Sequence, residues 1–196
     1  MTKHKMKIIA FSGSPRKNGN TELLLKEAVK GIESKGLEVE IFNLNLMKIK
    51  PCQGCGGCNK TGKCIYRDDM DQVSDAIKSA DRIILASPVY FYSVSAQAKA
   101  MIDRCQSFWN EKYILKKPLQ GNKFGRKGLL ILAGGMKKKV GVECAETCAT
   151  AFFRTVSVSE HSTLSYMDID EKGAILQHPT ALKEAYEAGT RLVEND

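Results

Sequence analysis

The sequence predicts an α/β domain, a doubly wound five-stranded parallel sheet with helices on both faces. Three observations predict it. Short apolar runs and helical periodicities alternate five times along 196 residues. The runs are mostly continuously apolar, as strands buried on both faces are. No repeat and no linker rich in Pro, Gly or Ser divides the chain, so residues 1–196 read as one domain.

The first run, residues 7–12, stops at Gly13-Ser14-Pro15 and reads as a buried strand. Residues 21–35 place Leu23, Leu24, Ala28, Val29 and Ile32 at helical spacing, with Gly36 as the C-cap. Residues 37–44 alternate as a second strand, and residues 47–70 form an irregular, cysteine-rich insertion. A helix over 69–79 opens on acidic residues suited to its positive end. A third strand, 81–87, is halted by Pro88. Then come a helix over 95–108, a strand over 127–133 ending at Gly134-Gly135, and a helix over 142–153. A fifth strand at 157–164 and a helix at 179–193, with Pro179 in its first turn, close the pattern.

Composition excludes several classes. The chain is 43% hydrophobic with five prolines, unlike disordered or collagen-like sequences. A chain this long buries roughly 70% of its unfolded surface and needs no disulfides to fold. No apolar stretch approaches the roughly 20 residues of a membrane span, and the run after the basic start is too short for a signal peptide. The expected location is therefore the cytoplasm, where clustered thiols more often serve metal or redox chemistry. The net charge of +8 is spread along the chain. Its strongest run, Lys137-Lys138-Lys139, comes without a nucleic-acid motif, so nucleic acid is not the expected partner.

Chemistry concentrates where an open parallel sheet binds ligands, beyond the carboxyl ends of its strands. Three connections should meet there: 12–21, 87–95 and 133–140. The first, Ser12 to Thr21, combines small hydroxyl side chains and glycines ahead of a helix, a pattern that lets backbone N–H groups approach a phosphate. It lacks both the Walker ending and the dinucleotide fingerprint. It also reads as a plain turn with Asn20 or Thr21 as N-cap, just as Tyr90, Phe91 and Tyr92 also read as core residues at a strand end.

Four of the seven cysteines form Cys52-x2-Cys55-x2-Cys58-x5-Cys64, interleaved with Gly54, Gly56, Gly57 and Gly62. Three thiols at intervals of three can reach three corners of an iron–sulfur cubane, and a fourth arrives after a turn. Four thiolates also suit structural zinc, usually as two separated knuckles, and four reduced thiols near a cofactor remain a third reading. Cys105, Cys144 and Cys148 lie outside the run, and the last two share one helix face where packing is expected. His4, His161 and His178 are scattered without metal spacing. Trp109 is expected in the core or at a subunit contact, where it could wall a neighbouring subunit's site.

The stretch Gly13-Ser14-Pro15-Arg16-Lys17-Asn18-Gly19-Asn20-Thr21 resembles the FMN phosphate loop of the flavodoxin-like NAD(P)H-dependent FMN reductases. Ser87-Pro88-Val89-Tyr90-Phe91-Tyr92-Ser93 resembles that family's second flavin loop, and Ala133-Gly134-Gly135 its third. The likeness implies the strand order 2-1-3-4-5 with FMN at the switch point. Ser12, Ser14, Arg16, Asn18, Asn20 and Thr21 would hold the phosphate. Pro88, Val89, Tyr90, Phe91 and Ser93, with Gly134 and Gly135, would line the isoalloxazine ring. The cysteine run, followed by Asp68-Asp69-Met70, is similar to the compact motif of the iron–sulfur flavoprotein branch. That likeness implies a 4Fe-4S cluster on Cys52, Cys55, Cys58 and Cys64.

The expected function is electron transfer between a reduced donor, FMN and the cluster, with NAD(P)H a candidate donor and no catalytic side chain nominated. Donors and acceptors would be small molecules or proteins, and the chain would assemble as a homodimer or homotetramer. A cluster-free NAD(P)H-dependent FMN or quinone reductase is the first alternative. A redox-sensing or nucleic-acid-binding protein is the second.

Overall fold

The computed structural model describes residues 5–119 and 124–194; His4 lies outside them. Its strands are β1 (Ile8–Ser12), β2 (Val39–Asn43), β3 (Arg82–Tyr90), β4 (Ser93–Val94), β5 (Lys127–Ala133) and β6 (Glu160–Tyr166). Five of them form a parallel sheet in the order β2-β1-β3-β5-β6, and the two-residue β4 folds back antiparallel on β3. Without that hairpin arm the order is the 2-1-3-4-5 that the resemblance implies. Register is tight at the centre: Ile8 pairs with Val39 and Arg82, and β3 runs beside β5 from Arg82↔Lys127 to Pro88↔Ala133.

The period of two along each central strand supplies two cores. Ile9 and Phe11 of β1, Ile83 and Leu85 of β3, and Leu130 and Leu132 of β5 face one side. There they meet α2 (Met70–Ser79), α3 (Ala96–Arg104) and α5 (Val140–Thr155). Ile8, Ala10, Ile84, Ala86, Leu129 and Ile131 face the other side, against α1 (Asn20–Glu33) and α6 (Ala181–Leu192). Those two helices touch through glycine: a Cβ on Gly189 would collide with the Ala28 backbone, and one on Gly31 with the Tyr186 carbonyl. The edge strands β2 and β6 bury only part of their length, which is why they read as more polar.

Several boundaries differ from the sequence expectation, each for a local reason. β3 does not stop at Pro88 but continues to Tyr90. Gly13 N donates to Ala86 O at 2.8 Å, so the backbone groups two residues on, at Pro88, point to the same side after β1 has ended. The missing N–H of Pro88 therefore breaks no ladder bond. The helix expected over 95–108 is divided into α3, the short α4 (Gln106–Trp109) and a π-helical turn over Asn110–Ile114. Pro179 precedes α6, whose N-cap is Thr180. The fifth parallel strand begins only at Glu160, after Ser157 has turned the chain at φ 61°. Cys148 packs partly against the core, as expected, whereas Cys144 is exposed.

Candidate functional site: a loop crevice and a cysteine cavity

The connections after β1, β3 and β5 emerge at one end of the sheet, where the order reverses between β1 and β3. Gly13 closes tightly on β3: a Cβ would stand 3.1 Å from both Ala98 Cβ and Ser95 Oγ, which would have to give way. Ser95 caps α3 by accepting from Ala98 N at 3.2 Å and donates to Gly13 O at 2.7 Å. The loop then turns on itself. Ser14 Oγ accepts from Arg16 N at 3.2 Å, and Gly19 N donates to Arg16 O at 3.0 Å. A Cβ on Gly19 would press on Arg16 and Ser14, so glycine lets the loop turn this tightly.

Gly19 is the N-cap of α1, with no side-chain cap bond, so neither Asn20 nor Thr21 takes that role. Ser12 and Thr21 are buried; Ser14 is half-buried, and Arg16 and Asn18 are exposed. Asn18 sits at φ 54°, its N–H donating to Glu22 Oε2 at 2.7 Å and its Oδ1 accepting from Lys26 Nζ. Burial opposes charge on Glu22, but Lys26, the Asn18 N–H and Lys17 together hold its carboxyl below the ordinary range. Asn20 Nδ2 donates to Ile169 O at 3.3 Å and Glu171 O at 2.8 Å, and its Oδ1 accepts from Ile175 N. Its amide hydrogens are thereby committed to protein. Arg16 Nη1 reaches Asp170 O at 3.4 Å.

In the second connection, Pro88 and Val89 are buried strand residues, and Tyr90 to Ser93 make a two-residue hairpin. Its central residues, Phe91 (φ 46°) and Tyr92 (φ 63°), both lie in the left-handed region that such turns reserve for Asn and Gly. Phe91 is 98% exposed, and Tyr90 and Tyr92 are exposed too, which overturns the reading of these three as core. Ser93 is half-buried beside them. In the third connection Gly134 is buried and Gly135 exposed. A Cβ on Gly135 would strike Asp170, because this loop is zipped to the chain after β6 by Ile169 N to Gly134 O and Asp168 N to Met136 O. The 168–175 segment is the part of the crevice that sequence reading missed. It carries no motif and joins mainly through backbone N–H and carbonyl groups.

The cysteine insertion makes a separate feature. Cys52, Cys55, Cys58 and Cys64 line one cavity of about 200 Å³, with Arg104, Gln106 and Ser107 in its wall. Gly54, Gly56 and Gly62 take positive φ, giving the turns that bring the four arms round. Among the described residues, no three His, Cys, Asp or Glu side chains converge closely enough to hold a single metal ion. The donor set nevertheless suits a thiolate-held group, since the wall brings hydrogen-bond donors and positive charge to sulfur. Asn110 Nδ2 donates to Cys58 Sγ at 3.0 Å. Arg104, with a side chain 1% exposed, donates to Lys50 O and forks onto Asp68 at 2.7 and 3.1 Å. Burial works against charge on both partners, yet their mutual hydrogen bonds lower Asp68 and raise Arg104.

Of the remaining candidates, Cys105 is buried and burial pushes its thiol far up, away from reactivity. Trp109 is part-exposed and packs on Tyr113 at 5.3 Å between ring centroids. His161 packs on Phe153, and His178 accepts from Ala181 N at the start of α6. Among the described residues no helix is long and apolar enough to cross a membrane.

Comparison with known proteins matches these features. Over 99 residues, half of this chain and 51% of the relative, the sequence is 50% identical to an iron-sulfur flavoprotein of Methanocaldococcus jannaschii. It is 39% identical over 133 residues to one from Archaeoglobus fulgidus, covering 68% of this chain and 57% of that protein. The chain thus spans little more than half the length of these relatives. In fold it is similar to an NAD(P)H:quinone oxidoreductase from Methanothermobacter marburgensis, at a TM-score of 0.74 and 16% identity over 98% of each chain. Residues 6–168 match the family described as NADPH-dependent FMN reductase. The chain therefore belongs to the NADPH-dependent FMN reductase family.

Proposed function

We propose that this chain is an FMN-dependent oxidoreductase that passes electrons between a reduced donor, FMN in the loop crevice and a 4Fe-4S cluster in the cysteine cavity. One observation carries the reading: both features are built on the two ends of α3. Ser95, its N-cap, is bonded to Gly13 of the first loop, and Arg104, its last residue, lines the cysteine cavity. Nine helical residues span roughly 13 Å, so one short rigid element carries both features. The iron-sulfur flavoprotein relatives support the same reading.

Flavin chemistry accepts electrons in pairs and releases them singly, which is what links a hydride donor such as NAD(P)H to a one-electron cluster. The protein's part is to hold and orient. Ser12, Ser14, Arg16, Asn18 and Thr21 would hold the phosphate at the start of α1, where backbone N–H groups and the helix dipole favour an anion. Asn20 shapes that concavity from behind. Pro88, Val89, Tyr90, Phe91, Ser93, Gly134 and Gly135 form the wall for the ring. Cys52, Cys55, Cys58 and Cys64 hold the cluster. The bare aromatic hairpin supports a homodimer or homotetramer in which a second copy covers it.

The test is an absorbance spectrum of anaerobically purified protein before and after dithionite, with iron, sulfide, zinc and FMN quantified. FMN with iron and labile sulfide is the expected result. Stoichiometric zinc, or FMN without metal, rejects the cluster; a folded protein that refuses added FMN rejects the whole reading. A cluster-free flavin reductase is the second reading, supported by the family match over residues 6–168.

A further inference from the structure

The helical stretch after Ser95 carries two buried polar side chains that the apolar core does not need. Asn110 is the first residue of the π-helical turn, a local widening that concentrates at functional sites. It is buried, and its amide nitrogen is used entirely at the cysteine insertion. Nδ2 donates to Cys58 Sγ at 3.0 Å and to Asn59 Oδ1 at 2.9 Å, while Oδ1 accepts from Gln106 Nε2 at 3.4 Å. These partners fix the amide's orientation, since a flipped amide would set its oxygen against that of Asn59. Six residues earlier, Arg104 lies in the cavity wall beside Cys64, which favours its charge, while its counter-ion, Asp68, lies outside the lining. Its Nε is buried and has no hydrogen-bond partner among the described residues.

We propose that Asn110 and Arg104 are the positioning residues of the cysteine cavity, and that together they raise the reduction potential of the group its thiolates hold. The inference rests on the electron-transfer reading above and deepens it. Each added electron makes a thiolate-held centre more negative. An N–H donated to sulfur and a buried guanidinium both favour the more negative state, and so draw the potential upward. Asn110 also keeps Cys58 in place when nothing is bound, because the bond is made to the thiol itself.

The experiment compares the full-length wild-type chain with Asn110→Ala, Asn110→Asp, Arg104→Gln and Arg104→Lys, each checked for folding by circular dichroism and for FMN content. Two readouts are taken. In loaded protein, dye-mediated potentiometry followed by absorbance should show a midpoint shifted to more negative potential in Asn110→Ala, Asn110→Asp and Arg104→Gln. The shift should be smaller in Arg104→Lys, which keeps the charge. Loaded variants that titrate with the wild type overturn the proposal. In cluster-free protein, alkylation of each cysteine by iodoacetamide is timed by peptide mass spectrometry. The Cys58 rate should change by about fivefold in Asn110→Ala, the factor one net hydrogen bond supports, with exposed Cys55 unchanged as the internal standard. Equal rates at Cys58 overturn the positioning role. A wild type that takes up no iron or sulfide defeats the electron-transfer reading instead, and the alkylation rates still decide whether Asn110 positions Cys58.

Discussion

Asn20, in the first turn of α1, is hydrogen-bonded to Glu171, 151 residues on, with Nδ2 donating to the carbonyl at 2.8 Å. Through this contact and those to Ile169 and Ile175, the loop after β6 becomes the back wall of the loop after β1. Asn20→Ala should cost about 1–2 kcal/mol of stability, as loss of a part-buried hydrogen-bonded amide does. It should also weaken FMN and riboflavin to the same degree, because its effect runs through loop shape. Fluorescence titration of the cofactor-free protein with both ligands measures this; a loss confined to FMN would make Asn20 a phosphate ligand after all.

The complementary experiment changes Ser14→Ala, Thr21→Ala and Arg16→Glu together. Two lost hydrogen bonds and one reversed charge predict FMN binding weaker by on the order of a hundredfold. Riboflavin, which lacks the phosphate, should bind as before. Unchanged FMN affinity would show that the phosphate sits elsewhere.

The hairpin at Phe91 and Tyr92 stores backbone strain, since each left-handed non-glycine residue costs about 1–2 kcal/mol. Replacing the pair by Asn-Gly, the sequence this turn prefers, should raise the melting temperature of cofactor-free protein and weaken FMN binding. A lower melting temperature would mean that the aromatic side chains stabilise the chain by contacts the exposed turn does not show.

Asp68 is held below the ordinary carboxylate value of 3.8: burial opposes its charge, but the fork from Arg104 and the N–H groups of Lys50 and Met70 outweigh it. A carboxylate lowered by folding contributes stability in full above its unfolded value and loses it as pH falls through the folded one. Acid unfolding should therefore gain a component below about pH 4 that Asp68→Asn lacks. At neutral pH the same substitution leaves Arg104 without its counter-charge and should cost about 3 kcal/mol. Urea unfolding midpoints between pH 3 and 7 check both signs.

Gly189→Ala should destabilise by about 1–3 kcal/mol or more, the cost of overpacking where a rigid backbone leaves no room. The obstruction is the Ala28 carbonyl rather than a side chain that could swing aside. Thermal unfolding measures it, and an unchanged melting temperature would mean that α1 and α6 separate freely.

Much of the architecture was legible because central strands and helices advertise themselves locally. The run at 127–133 matches β5 residue for residue, and the spacing from Leu23 to Ile32 lies within α1. Pro88 misled because its cost depends on a partner strand: the rule against proline in a sheet lapses where β1 has already ended. The division of the third predicted helix had no local sign either, since the π turn at Asn110 faces a cysteine insertion some 50 residues back, with Asn110 bonding Cys58 across |i−j| = 52.

The alternation of strands and helices, the three loops that meet beyond the sheet and the four-cysteine run follow from periodicity and spacing, which are properties of neighbours along the chain. The strand order followed from the family resemblance. Which side chains those loops leave free, and what stands behind them, came only from the folded molecule. Asn20, Asp68, Arg104 and Asn110 acquire their roles from contacts across 36 to 155 residues. Such contacts pair a donor with a carbonyl, carboxylate or sulfur that any sequence position could supply, so no local pattern encodes them.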